Sequence, residues 1–185
     1  MGLNIAQASG DFLPYVKYNG KAGRWYVKKD DQEVEVQNPT FVADFDNIRT
    51  GWLSFAEGQA PDVVFDKDLS TPAPKPSDRH KRGFNLKLFS NAQFGGVVEL
   101  QGSSMHLNNA INELYELYEK DRKDGQLPVV SCTGTTPMKD KMGTNYRPIF
   151  KIEKWIDRPT EFDGGATQEA KPEASTPVSS SISEF

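Results

Sequence analysis

Several segments of this chain interleave aromatic rings with cations at every second position. In an extended strand residues i, i+2 and i+4 share a face. Arg24, Tyr26 and Lys28 therefore form one row, Lys87 and Phe89 a second, and Arg147, Lys151 and Trp155 a third; Trp52 lies opposite Leu53 and Phe55. Rings set among Lys and Arg suit a single nucleic-acid strand. Bases stack on ring faces for roughly 1–3 kcal/mol each, and the cations follow the phosphates. Stacking accepts any base, so such a surface binds without reading sequence. The competing reading is a second small core with the cations lying over it. A basic run, Arg79, His80, Lys81 and Arg82, follows Pro72, Pro74 and Pro76, and could clamp phosphates or simply stay solvated. A second long loop, 134–145, carries Lys139 and Lys141.

Other chemistries have thinner support. Asp44 and Asp46 at i, i+2 could share Mg²⁺ as a nuclease requires, although Asp46-Asn47 also reads as a turn. Cys132 sits among apolar residues, and neither His80 nor His106 has a companion motif. No nucleophile elbow, phosphate-binding loop, zinc-protease motif or dinucleotide fingerprint occurs. The expectation is a protein without enzymatic activity or cofactor.

The elements that must position these side chains are mostly strands. Alternation and turn signals place strands near 12–18, 24–29, 33–36, 40–45, 50–56, 83–89, 96–100, 129–133 and 145–156, with Asn19-Gly20 and Asp30-Asp31 as turns. One helix is expected at about 104–124, with Leu107, Ala110, Ile111, Leu114, Leu117 and Tyr118 as its buried stripe. Ser103 or Ser104 would cap it and Gly125 would end it. A single helix late among short strands, with two strands after it, predicts a mainly β fold: an OB-like antiparallel barrel with long loops.

Composition bounds the partners. The 185 residues hold 22 bases and 26 acids, a net charge of −4. Residues 160–185 contain five acids and one base, so residues 1–159 carry 21 of each and are neutral. The reading is an OB-like nucleic-acid-binding domain over 1–159 and a disordered acidic tail over 160–185. A lone cysteine excludes a disulfide framework and a cysteine-based zinc cluster. No apolar stretch is long enough for a membrane span. The N-terminus lacks the basic and apolar regions of a signal peptide. Cytoplasm is the expected compartment, the host's if the chain is phage-encoded.

The tail closes on Ser181-Ile182-Ser183-Glu184-Phe185. An aromatic-rich OB-like body with an acidic tail ending in Glu184 and Phe185, and Ile182 behind them, resembles the single-stranded DNA-binding proteins of bacteria and tailed phages. Ser179-Ser180-Ser181 stands where that group commonly has aspartates. The resemblance implies sequence-tolerant binding and protection of single-stranded DNA in replication, recombination and repair. It also implies recruitment of replication and recombination proteins through Ile182, Glu184 and Phe185. A homo-oligomer is compatible with it. Two alternatives stand beside it: a metal-dependent nuclease or related DNA-processing enzyme using Asp44 and Asp46, and a virion or scaffold interaction protein.

Overall fold

Runs of β-branched and aromatic residues set the strands, and Gly, Asn and Asp set the turns between them. The computed structural model describes residues 13–163, apart from residues 30, 57 and 58. In chain order the strands are β1 (Tyr15–Asn19), β2 (Arg24–Lys29), β3 (Gln32–Val36), β4 (Thr40–Ala43), β5 (Arg49–Ser54), β6 (Asp62–Phe65), β7 (Lys81–Ser90) and β8 (Gly96–Gly102). The helix α1 (Met105–Asp121) follows, then β9 (Gln126–Asp140) and β10 (Gly143–Asp157). Short 3-10 turns occupy Phe45–Asn47 and Thr160–Asp163.

All ten strands belong to one sheet, ordered β10-β9-β4-β7-β8-β1-β2-β3, with β5 on β7 and β6 on β5. Every pair is antiparallel except β1 with β8. The sheet rolls, bringing its distant strands together. Tyr146 N on β10 donates to Gly20 O after β1 at 2.7 Å, and Tyr18 Oη donates to Tyr146 O at 2.7 Å. The Trp25 indole of β2 lies against Cys132 Sγ of β9 at 3.4 Å. The fold is thus mainly β and barrel-like, with one α-helix among the described residues, bridging β8 and β9, as the order of signals predicts.

The core fills the roll. Val16, Trp25, Val27, Phe41, Phe45, Leu86, Leu88, Phe89, Leu100, Leu114, Tyr118 and Leu127 are all buried within it. The helix buries Leu107, Ala110, Ile111, Leu114 and Tyr118 along one stripe, but Leu117 is 47% exposed and faces the neighbouring groove. Gly51 and Gly83 pair across β5 and β7. A Cβ at Gly83 would lie 2.1 Å from Gly102 O of β8, so only glycine fits where β7 runs against β8.

Several boundaries differ from the expectation. The segment 134–145 is not a loop: β9 and β10 continue through it as a hairpin arm, with Lys141 and Met142 as the turn. Backbone pairing from Gly134↔Ile149 to Asp140↔Gly143 overrides its Gly, Pro and Lys content. β6 was hidden inside the Pro-rich stretch, where Val63-Val64-Phe65 is too short to stand out. The helix ends at Asp121 with an extended Arg122, and Gly125 (φ 75°) instead turns the chain into β9. After β1 the turn spans Gly20 to Gly23. The Asn19 Oδ1 accepts from the Lys21 and Ala22 amides, and the positive φ falls at Gly23.

The body also runs beyond residue 159. Thr160–Asp163 forms a turn whose Phe162 is 6% exposed and joins the core, so these residues leave the assigned tail. The remainder of that tail, with Ile182, Glu184 and Phe185, lies outside the described residues.

Candidate nucleic-acid interface

A cleft of about 640 Å³ opens where three features converge: the β1–β2 turn, the β9–β10 arm and the start of α1. Its walls include Tyr18, Lys21, Lys81, Arg82, His106, Asp140 and Tyr146, with Ser103 and Ser104 leading into the helix. Rolling of the sheet creates it, because the Tyr18–Tyr146 and Gly20–Tyr146 bonds hold the arm beside the first hairpin. The helix N-terminus enters uncompensated. Ser104 makes no side-chain cap bond, and the first turn holds no acid. Free backbone N–H groups and the positive end of the helix dipole there favour an anion.

Among the described residues no carboxylate pairs with Lys21 or Lys81, which leaves both ammonium groups available. Asp140 is the one acid in the wall, and its Oδ1 accepts from the Met142 amide at 2.8 Å. Arg82 is committed elsewhere. Its guanidinium grips Asp66 with bonds of 2.9 and 2.6 Å and lies 5.1 Å from the Trp52 ring. That ion pair holds the Asp66 carboxyl well below the usual carboxylate range. Trp52 donates its indole N–H to Ala73 O at 2.7 Å, and Lys75 lies 5.6 Å from its ring.

Past Arg82 the cleft adjoins a second cavity of about 330 Å³, sharing Arg82, Asn108 and Asn109 with it. Here the walls are Ile48, Leu69, Phe84, Ile111 and Tyr115, with Thr50 and Asn112 among them. Together the two cavities form a track along the first half of α1, basic at one end and apolar at the other.

No family model, curated protein or solved structure matches the chain. What the track binds must therefore be argued from its own side chains.

The expected binding residues do not share one groove. Lys81 and Arg82 line the cleft, with Trp52 against Arg82. Lys139 and Lys141 are exposed at the arm tip, flanking Asp140. Arg79 is exposed, and its amide donates to Ser77 Oγ. In the same turn Ser77 Oγ and Asp62 hydrogen-bond opposite sides of the buried His80 ring, at 2.8 and 3.2 Å, so the basic loop is pinned to β6.

The row on β2 belongs to a separate face. Arg24 pairs with Glu35 at 3.1 Å, Tyr26 is half-buried and stands between Lys17 and Glu35 in register, and Lys28 lies over Tyr15 at 5.7 Å. Arg147 pairs with Glu113 beside a groove on the other side of α1.

Two placements overturn the expectation. Phe89 is fully buried rather than exposed, because Thr160–Asp163 covers its face of β7; Lys87 beside it is half-buried and near Asp163. Trp155 does not share the side of Lys151. The β9–β10 register shifts between Ile152 and Lys154, so the alternation breaks between Lys151 and Trp155. Trp155 instead stacks on Tyr118 at 6.1 Å, whereas Lys151 is exposed near Glu153.

The carboxylates considered for a metal are occupied as well. Asp44 is buried and accepts two bonds from Arg158, at 2.6 and 3.1 Å, plus Asn47 Nδ2. Asp46 accepts from Tyr118 Oη and has Arg122 and Arg158 nearby. Among the described residues no cluster of metal-ligating side chains forms.

Sequence reasoning missed Tyr18, Lys21, Tyr146, Asn108, Asn109, Asn112 and Tyr115. One signal was present. Asn108, Asn109 and Asn112 are poor helix formers placed inside the helix, past any capping position.

Proposed function

We propose that this chain binds single-stranded DNA with little sequence preference, along the track beside α1. The observation that carries this reading is the cleft itself. Unpaired Lys21 and Lys81, an open helix N-terminus and the rings of Tyr18 and Tyr146 line one concavity. Cations and free amides suit phosphates, and rings suit unstacked bases. The neutral body needs no strong general field for this, since attraction is local to the cleft. Duplex DNA offers no free base faces to Tyr18 and Tyr146.

A role in replication, recombination or repair is the wider proposal. The acidic C-terminal residues, ending in Ile182, Glu184 and Phe185, would recruit partner proteins while the body holds the strand. Asp44 and Asp46 give the nuclease alternative no support, because Arg158, Asn47 and Tyr118 occupy their oxygens.

The test is a titration of labelled oligo(dT) over a range of salt. Affinity falls steeply with salt, and the Lys21→Ala, Lys81→Ala double variant loses about 0.7 from the log–log slope for each phosphate contact removed. Equal binding of oligo(dT) by the double variant, with an unchanged slope, would place the strand elsewhere. No binding at low salt would end the proposal.

A further inference from the structure

The β1–β2 turn carries a chemistry of its own, and we propose that Asn19 is a self-modifying residue, losing its side-chain amide to the backbone nitrogen of Gly20 and ending as aspartate or isoaspartate. Of all the asparagines in the chain, Asn19 alone is followed by glycine. Elsewhere the next residue is Ile, Leu, Ala, Asn, Glu, Tyr or Pro. A side chain there crowds the approach of the backbone nitrogen, and proline removes its N–H. Asn19 is exposed at the end of β1. Its Oδ1 accepts from the Lys21 and Ala22 amides at 2.9 and 3.1 Å. Two backbone donors on one carbonyl oxygen polarise it and hold the charge that forms there when a nucleophile adds to Cγ. Among the described residues Nδ2, the group that leaves, has no hydrogen-bond partner, and the Gly20 N–H, the group that attacks, has no acceptor.

Water is the only other reactant. Solvent base takes the Gly20 amide proton, and the nitrogen attacks the adjacent Cγ. A cyclic imide closes as the Cγ–Nδ2 bond breaks, and Nδ2 takes a proton from solvent and leaves as ammonia. Water then adds to one of the two imide carbonyls. Opening at Cγ gives aspartate; opening at the main-chain carbonyl gives isoaspartate, in which the chain runs on through the side-chain carbon. The sum is amide plus water to carboxylic acid plus ammonia, with nothing oxidised or reduced. Either product puts a carboxylate two residues before Lys21, on the rim of a cleft that Gly20 and Lys21 help to line. Isoaspartate also lengthens the backbone ahead of Gly20, whose carbonyl accepts from Tyr146 N at 2.7 Å and holds the arm beside the first hairpin. The consequence for binding rests on the single-strand reading above: the cleft loses phosphate affinity as the protein ages.

The experiment incubates the full chain in mildly alkaline buffer and follows its tryptic peptides by mass. Cleavage after Lys17 and Lys21 isolates Asn19 in the peptide Tyr18–Lys21. That peptide should exchange its amide NH2 for OH ahead of every other asparagine-containing peptide, and should then accept a methyl group from an isoaspartate-specific methyltransferase. Gly20→Ala should slow the exchange about tenfold, as roughly 1.4 kcal/mol on the barrier does. A Cβ at Gly20 meets only Asn145 Oδ1, at 3.9 Å, and Gly20 is not among the residues of positive φ, so this variant should fold. Exchange at another asparagine before Asn19, or an unchanged rate in Gly20→Ala, overturns the site. Aged chain, separated from fresh chain by anion exchange, should bind oligo(dT) about tenfold more weakly, the worth of one charge-assisted contact. Equal binding by aged and fresh chain overturns the effect on the cleft and leaves the modification standing. No binding by fresh chain removes the single-strand reading and that effect with it, while the mass measurement still decides the modification.

Discussion

Phe89 on β7 and Phe162 in the Thr160–Asp163 turn pack edge to face, with ring centroids 6.1 Å apart and planes at 68°. Arg158 lies over the same Phe162 ring at 5.5 Å while bonding Asp44 and Asp163. Apolar and ionic contacts thus close the face of β7 that alternation alone leaves open. Phe162→Ala should cost about 3 kcal/mol, the usual loss for a buried Phe. Removing residues 160–185 should lower the melting temperature more than removing residues 164–185. Differential scanning calorimetry of the two truncations decides this, and equal melting temperatures would show that the turn contributes nothing.

Acid should loosen the fold through carboxylates held low by folding, among them two paired with arginine, Asp66 and Asp163. Hydrogen bonding to Arg82 is the main cause that holds Asp66 below its ordinary value, and bonding to Arg158 does the same for Asp163. A carboxyl depressed on folding adds stability above its unfolded value, near 4, and loses it as pH falls toward the folded one. Stability should therefore be flat above about pH 5 and decline below it. Asp66→Asn should cost about 1–3 kcal/mol at neutral pH. It should also make the acid decline shallower, as read from urea midpoints across the pH range. An unchanged acid decline in that variant would assign it to other groups.

The helix, most strands and the β character were legible because each rests on a local period, such as Leu107, Ile111 and Leu114 along α1. Features that depend on pairing were not. A bulge leaves no mark in composition, so Trp155 was placed with Lys151 although the register slips between Ile152 and Lys154. Cover arriving from distant sequence is equally silent: the alternation around Phe89 carries no sign of Phe162 packed against it. The cleft has the same origin. Tyr18 and Tyr146 are 128 positions apart, and only the rolled sheet brings them together. Lys81 and Arg82 are legible as a basic run and Trp52 as an aromatic opposite Leu53, but only the pairing of β5 with β7 sets Trp52 beside Arg82.

The three tryptophans should report binding unequally. Trp25 is 2% exposed and buried among Tyr18, Phe41 and Phe150, and Trp155 is stacked on Tyr118. Trp52 is half-buried and lies against Arg82, which lines the cleft. Quenching by oligo(dT) should come mainly from Trp52. Trp52→Phe should remove most of the signal while Trp25→Phe preserves it. Quenching that persists in Trp52→Phe would move the strand away from Arg82.

Cys132 reports on closure of the roll. The thiol is 2% exposed, touches the Trp25 indole at 3.4 Å, and is pushed up in pKa by burial. A thiol reagent at neutral pH should therefore react only when the sheet opens, since thiolate is scarce and inaccessible. Tyr18 Oη, bonded to Tyr146 O, is one of the ties holding β1 against β10 beside this site. Tyr18→Phe deletes that tie and leaves the ring. Losing one such bond, about 1 kcal/mol, should speed labelling roughly fivefold. Labelling that is fast in the unaltered chain would mean that the roll is open in solution, and an unchanged rate in Tyr18→Phe would mean that other contacts hold the closure.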